Sequence, residues 1–148
     1  MNELRVEVNL ADGVHISEPD VEPLIERAVR SALESEGVAD ADISVTLLLD
    51  PEISTLNQQY LKHEGPTDVI SFPLFADGEA PVGDIYIGYE QARRQSDELT
   101  VPLTAELARL AIHGTLHVLG YDHAGGSARE TDPMWQRQET ILQQVLGR

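Results

Sequence analysis

Cysteine is absent from the 148 residues. That excludes a disulfide framework, a thiolate metal site and a cysteine nucleophile, and it agrees with a reducing compartment. No apolar run approaches the roughly 20 residues a helix needs to cross a bilayer. The start, Met1 to Arg5, has neither a basic nor an apolar signal region, so the expectation is a cytoplasmic, soluble protein with no membrane partner. Basic residues are scarce, 10 Lys and Arg against 26 Asp and Glu, for a formal charge of -16. Proteins that grip nucleic acid through its phosphates usually carry a basic stripe, and this chain lacks the composition for one. It should repel a polyanion at long range and bind it only at a local positive site, where a metal ion could be the largest charge. Repeats, low-complexity tracts and linkers are also missing. The length fits one domain, residues 1–148, large enough to bury about two thirds of its unfolded surface.

Against that background the histidines stand out. The chain has only five, and three of them, His113, His117 and His123, fall within eleven residues of H-G-T-L-H-V-L-G-Y-D-H. Residues four apart on a helix lie one turn above each other on one face, so the imidazoles of His113 and His117 can point at one atom. Gly120 is suited to the left-handed turn that ends a helix, and that turn would bring His123 back to the other two. Three imidazoles around one point make an N3 site, for which zinc is the metal to expect, one per chain, with a fourth position open to water or substrate. A hydrogen-bonded core histidine is the plainer reading for any one of them, but not for three together.

The same spacing occurs in the metzincin proteases, H-E-x-x-H-x-x-G-x-x-H. There the Glu after the first His takes the proton from the metal-activated water. Here that position is Gly114, which has no side chain to do so, and a protease becomes a distant alternative. The three histidines then act through the metal's water, which has a pKa near 7 without an adjacent base. Asp122 could orient a ligand imidazole or accept a proton, and hydrogen bonding to a helix end is an equal alternative.

The remaining elements follow from periodicity. Leu4, Val6, Val8 and Leu10 alternate with polar residues, as in a strand with one buried face. Val21 to Leu33 shows helical spacing and Ile43 to Leu49 a second strand, which suggests a parallel pair joined by the helix. Asp50-Pro51 reads as an N-cap and first helical residue. In that helix Ile53, Leu56 and Tyr60 are expected to be buried, with Asn57, Gln58 and Lys62 facing solvent. Asp68 to Phe72 and Val82 to Gly88 read as an antiparallel pair, with Gly83 and Gly88 marking bulges or close backbone approach. Gln91 to Glu98 is a polar helix. Leu103 to Leu119, apolar on nearly every side, is a helix buried in the middle of the fold. Asp132-Pro133 opens a last helix with Met134, Gln138, Ile141, Leu142 and Val145 as its packing stripe, and Trp135 in the core or at its rim. The sum is α+β: a mixed sheet of about four strands packed with about five helices, the metal site lying on the buried central helix and the turn after it.

Three blocks carry a resemblance: P-T-D-V-I-S-F-P at 66–73, V-G-D-I-Y-I-G at 82–88, and the histidine motif. Their order and separations resemble the YbeY family of bacterial single-strand-specific endoribonucleases, ribosomal RNA maturation factors, over nearly the whole chain. The resemblance implies the same fold. It also implies hydrolysis of single-stranded ribosomal RNA, at the 3' end of the small-subunit RNA and in ribosome quality control. As partners it implies the small ribosomal subunit and a ribosome-associated GTPase. One position departs from the family pattern. An arginine that follows the helix tyrosine is replaced by Leu61 after Tyr60, and a leucine cannot bind phosphate. Lys62 and His63 are the nearest cations, and a lysine lacks arginine's two-pronged fork. Arg93-Arg94, the sole adjacent basic pair, is a further candidate phosphate contact, although a helix face paired with nearby acids is the preferred reading. An assembly factor with structural zinc and little cleavage is the alternative from a different functional class.

Overall fold

The computed structural model describes residues 2–121 and 132–147. Asp122 and His123 lie outside the described residues. Alternating burial makes the first strand: β1, Leu4–Leu10, turns its even-numbered apolar residues inward. Helix α1, Val21–Ser35, then buries Val21, Ile25, Ala28, Val29, Ala32 and Leu33 along one stripe. It leads to β2, Ala41–Leu48, which pairs with β1 in parallel from Leu4↔Ala41 to Leu10↔Leu47. The parallel pair joined by a helix is therefore present as expected. Helix α2 runs from Asp50 to Leu56.

Strands β3, Val69–Pro73, and β4, Val82–Gly88, are antiparallel, from Val69↔Ile87 to Pro73↔Gly83. In the four-stranded sheet the order is β1-β2-β4-β3, because β4 lies parallel to β2. Pro73 sits on the edge strand, where its missing N–H leaves no ladder bond unmade. The β2–β4 register is unbroken from Asp42↔Val82 to Leu48↔Gly88, so neither glycine marks a bulge there. Close approach accounts for Gly88, since a Cβ there would strike the Thr67 carbonyl.

Three helices complete the fold: α3, Tyr89–Leu99, α4, Leu103–Val118, and α5, Pro133–Val145. Helix α4 contacts α1, α3, α5, β3 and β4, and twelve of its sixteen residues are buried. It is the central helix that its nearly continuous apolar sequence predicts. Side chains from α1, β2, β4 and α4, among them Ile25, Leu33, Ile43, Leu47, Ile85, Ile87, Leu107, Ile112 and Leu116, are fully buried in one core. Asp132 caps α5, its Oδ1 accepting from the Met134 N–H at 3.1 Å, with Pro133 following as the first helical residue. Trp135 is half-buried, at the rim.

Two local expectations for α2 need correction. Leu49, in extended conformation, precedes the helix as its cap residue, and the Glu52 carboxylate accepts its backbone N–H at 3.1 Å. Asp50 is already helical, and its carboxylate is occupied by Arg94 instead. The buried face also differs beyond Leu56. Residues Asn57–Leu61 form a π-helical turn, whose wider i→i+5 bonding rotates the following side chains. Asn57 is consequently buried at 5% exposure, while Tyr60 is 60% exposed and Leu61 47%. The Asn57 Nδ2 donates to the Gly65 carbonyl at 2.9 Å, which removes the cost of burying the amide.

Candidate metal centre

Helix α4 is closed just past Val118 by Gly120, whose φ of 104° only glycine adopts readily. The Gly120 N–H donates to the His117 carbonyl and the Tyr121 N–H to the Leu116 carbonyl, both at 3.0 Å. This pair of bonds is the Schellman closure, and it folds the chain back over the last turn. Its result is chemical as well as geometric. The returning Tyr121 carbonyl comes within 3.0 Å of the His117 Nδ1. A carbonyl oxygen can only accept, so the ring proton of neutral His117 lies on Nδ1 and Nε2 carries a lone pair.

His113 is set in the same sense from a different direction. Its Nδ1–H donates to Oε1 of Gln138 on α5 at 2.6 Å, and the Gln138 amide nitrogen donates in turn to Glu139 at 3.0 Å. Both histidines are half-buried, on successive turns of α4. Their rings cross at 75° with centroids 4.6 Å apart, and the two Nε2 atoms face each other at 3.1 Å. Two lone pairs directed at each other are reconciled by a positive charge between them, either a shared proton or a metal ion. Tetrahedral ligands about 2.0–2.1 Å from a zinc ion stand about 3.3 Å apart, so the donor set and its spacing fit the metal. Among the described residues no group of three or more His, Cys, Asp or Glu suited to a metal is found. The third expected ligand, His123, and Asp122 fall outside them.

Gly114 shows why a base cannot stand beside His113. A Cβ there would lie 2.7 Å from the Ile85 Cγ2, 3.0 Å from the Ser71 Oγ and 3.3 Å from the Val69 Cγ2. The helix rests directly on β3 and β4 at this point, and the Ser71 hydroxyl donates to the Gly114 carbonyl at 3.0 Å. The glycine is a packing requirement, and a glutamate in its place would have nowhere to go.

The candidate substrate contacts are dispersed over other elements. Lys62 and His63 are exposed just after the π-helical turn. Lys62 adopts a left-handed φ of 60°, and its Nζ donates to the Gln59 carbonyl at 3.3 Å. Arg94 on α3 makes a two-pronged pair with Asp50, both bonds 3.1 Å. Arg93 lies over the Tyr89 ring, 5.3 Å from its centroid, and donates to the Tyr89 hydroxyl. These bonds to Tyr89 and to Asp50 raise the pKa of each guanidinium. Arg94 is thus paired with an acid of α2, whereas Arg93 is held by a tyrosine of its own helix.

Sequence reasoning missed the polar residues behind the histidines. Arg109 grips Glu139 with two bonds of 2.9 and 3.1 Å and reaches Glu106 with a third of 2.6 Å. Glu106 is 2% exposed. Burial works to lower the Arg109 pKa, and the bonds to Glu139 and Glu106 outweigh it and raise the value. On the other side the Tyr121 hydroxyl donates to Glu36 at 2.8 Å, a carboxylate that Arg137 also holds. That bond to Glu36, with burial behind it, raises the Tyr121 pKa. A signal was available in Glu106 and Arg109, charged residues three apart on an otherwise apolar helix.

A buried helix that offers two imidazoles from successive turns, is closed by a glycine turn and lies on a mixed sheet defines a class: α+β proteins with a histidine pair on a buried central helix. The model of one such family, Endoribonuclease YbeY, matches residues 7–146, and the chain belongs to that family. An Endoribonuclease YbeY from Bradyrhizobium diazoefficiens is 42% identical over 88% of this chain and 73% of its own. One from Bacillus licheniformis is 42% identical over 80% and 81%. The solution structure of TM1509 from Thermotoga maritima matches with a TM-score of 0.65 at 28% identity, covering 96% of this chain and 89% of that one.

Proposed function

We propose that this chain is a zinc-dependent endoribonuclease that hydrolyses phosphodiester bonds of single-stranded RNA during maturation of the small-subunit ribosomal RNA 3' end and in ribosome quality control. Membership of the YbeY family supports the RNA substrate. The observation that carries the metal is the 3.1 Å approach of the two Nε2 atoms, each ring oriented by an acceptor at its Nδ1. His113 and His117 would hold one zinc per chain, with His123 as the third ligand from the motif spacing. When bound there, zinc supplies hydroxide at neutral pH and polarises a phosphoryl oxygen. The protein's own part is to keep the two Nε2 lone pairs aimed inward and, through Gly114, to leave no carboxylate against the first ligand. Asp122 is the nearest candidate in the motif for holding a proton or orienting an imidazole.

The charge of -16 makes free RNA an unfavourable partner. The reading therefore includes the small ribosomal subunit as the place where substrate is met, in the cytoplasm, and a ribosome-associated GTPase as a co-factor of assembly. Among the described residues no helix is long and apolar enough to cross a membrane. Lys62 and His63 are the basic residues nearest to Leu61, which stands where the family has an arginine, and they are the candidates to approach the RNA there. That replacement favours a second reading, a ribosome assembly factor whose zinc is structural.

Metal content by mass spectrometry, with cleavage of a single-stranded RNA on and off ribosomes, tests the proposal in wild type and His117→Ala. One zinc per chain, with zinc and cleavage both lost in a folded variant, is expected. Zinc uptake without cleavage by clean wild-type protein, even with ribosomes present, would overturn the nuclease and leave the assembly factor.

A further inference from the structure

The two histidines are oriented by acceptors of different kinds. His117 donates to a backbone carbonyl, which cannot turn into a donor. His113 donates to a side-chain amide, which can. A rotation of 180° about the last bond of Gln138 would present NH2 in place of the oxygen. The His113 Nδ1 would then have to accept, its proton would move to Nε2, and the nitrogen that faces His117 would be blocked. Something must keep the amide from turning.

We propose that Gln138 is a positioning residue for His113, and that the Arg109–Glu139 ion pair fixes the polarity of its amide so that the His113 Nε2 stays unprotonated. The amide nitrogen donates to Glu139 Oε2 at 3.0 Å. An ionised carboxylate only accepts, so a turned amide would set its oxygen against another oxygen. Glu139 cannot swing away, because Arg109 holds both of its oxygens at 2.9 and 3.1 Å. Arg109 is anchored by Glu106 at 2.6 Å, and Glu106 receives the Gln95 amide at 2.9 Å. Arg109 can only donate and the two glutamates can only accept. The direction of every bond from the arginine to the imidazole is therefore imposed by charge. Gln138 itself is 1% exposed, so water does not offer the amide an easy alternative. The use of that nitrogen as a metal ligand rests on the zinc reading above, whereas the orientation of the ring does not.

Long-range nitrogen–proton NMR of the histidine rings in the metal-free protein reads the tautomers directly. Competition with a chelator reads zinc affinity. In wild type, at a pH where both rings are neutral, His113 and His117 should each carry the proton on Nδ1, with the two Nε2 atoms moving apart from their 3.1 Å approach when no cation lies between them. Gln138→Met removes the acceptor at similar volume; His113 should populate the Nε2–H form while His117 is unchanged, and zinc affinity should fall about tenfold or more. Glu139→Gln keeps the shape on a partly exposed residue but lets the neighbour donate, so it tests the polarity even if the first variant fails to fold. It should give a mixed His113 tautomer and a smaller loss. If His113 keeps its Nδ1 proton in both variants, and zinc affinity stays within about twofold of wild type, the proposal fails and the zinc reading stands. If wild type takes up no zinc while the tautomers respond as expected, the zinc reading fails and the positioning role stands.

Discussion

The end of α4 and the segment from Asn57 to Gly65 solve opposite problems. At the end of α4, two half-buried imidazoles are held by a helix with twelve of sixteen residues buried, and each ring nitrogen facing away from the pair meets a fixed acceptor. Around Asn57 the helix widens into a π turn, exposes Tyr60, Leu61, Lys62 and His63, and is tied down by the single buried amide of Asn57. Atoms that must agree to a few tenths of an ångström need that dense packing around them. The second segment is held less closely and is largely exposed, and π turns frequently mark functional places. Tyr60 is not loose in the second region: its ring meets Phe72 edge-on at 5.3 Å, and Phe72 meets Tyr86 at 5.9 Å.

The most forceful way to break the comparison is to put a side chain where α4 touches the sheet. Gly114→Glu would drive a carboxylate into Ile85, Ser71 and Val69. Overpacking and an unpaired buried charge together should exceed about 4 kcal/mol and leave little folded protein. Gly114→Ala is the graded form. It gains about 1 kcal/mol of helix propensity against an overpacking cost of about 1–3 kcal/mol. Ile85 is β-branched and cannot yield easily, so a net loss of about 1 kcal/mol is expected in urea denaturation. A stabilised Gly114→Ala would mean that the contact is looser than it looks, and that the metalloprotease-like base is missing for another reason.

Next in size is Asn57. Asn57→Ala removes the bond to the Gly65 carbonyl and should cost about 1–2 kcal/mol. The effect should be local as well: the His63 N–H, which donates to the Asn57 carbonyl at 3.2 Å, should exchange faster with solvent. An unchanged stability and exchange rate would show that the π turn holds itself without the amide.

How much of each region could be read from the chain differs for the same physical reason. The α4 end depends on one helix, so the 3.6-residue period places His113 and His117 on one face and the glycine rule ends the helix at Gly120. Alternate apolar positions mark β1 and β2, a short apolar run marks β3, and the β3–β4 and β1–β2 pairings follow from loop length and crossover. The position of β4 beside β2 does not, since it depends on which edge of the first pair is left open. In α2 the period misleads, because a π turn leaves no signature in apolar spacing and only tertiary contacts rotate Tyr60 outward. Gln138 is hidden in another way. It sits in a packing stripe where a glutamine looks like a tolerated exception, and only its partners on α4 reveal what it does.

The finest distinction concerns Lys62, whose side chain and backbone point to different roles. With φ at 60° it occupies the position after a helix that glycine usually fills, and a side chain there costs about 1 kcal/mol. Nothing in its packing offsets that, since it is exposed and makes one 3.3 Å bond to Gln59. Lys62→Gly should therefore leave the protein as stable or raise its stability by about 0.5–1 kcal/mol in thermal melts. If the lysine is an RNA contact, the same variant should weaken RNA binding and reduce the dependence of binding on salt by about one phosphate contact, with zinc content unchanged. Lys62→Asn, which tolerates the same backbone but carries no charge, separates the two effects. Equal loss of binding in both variants assigns the role to the charge. Unchanged binding in both would remove Lys62 from the substrate surface and leave the strained backbone serving only to expose Tyr60.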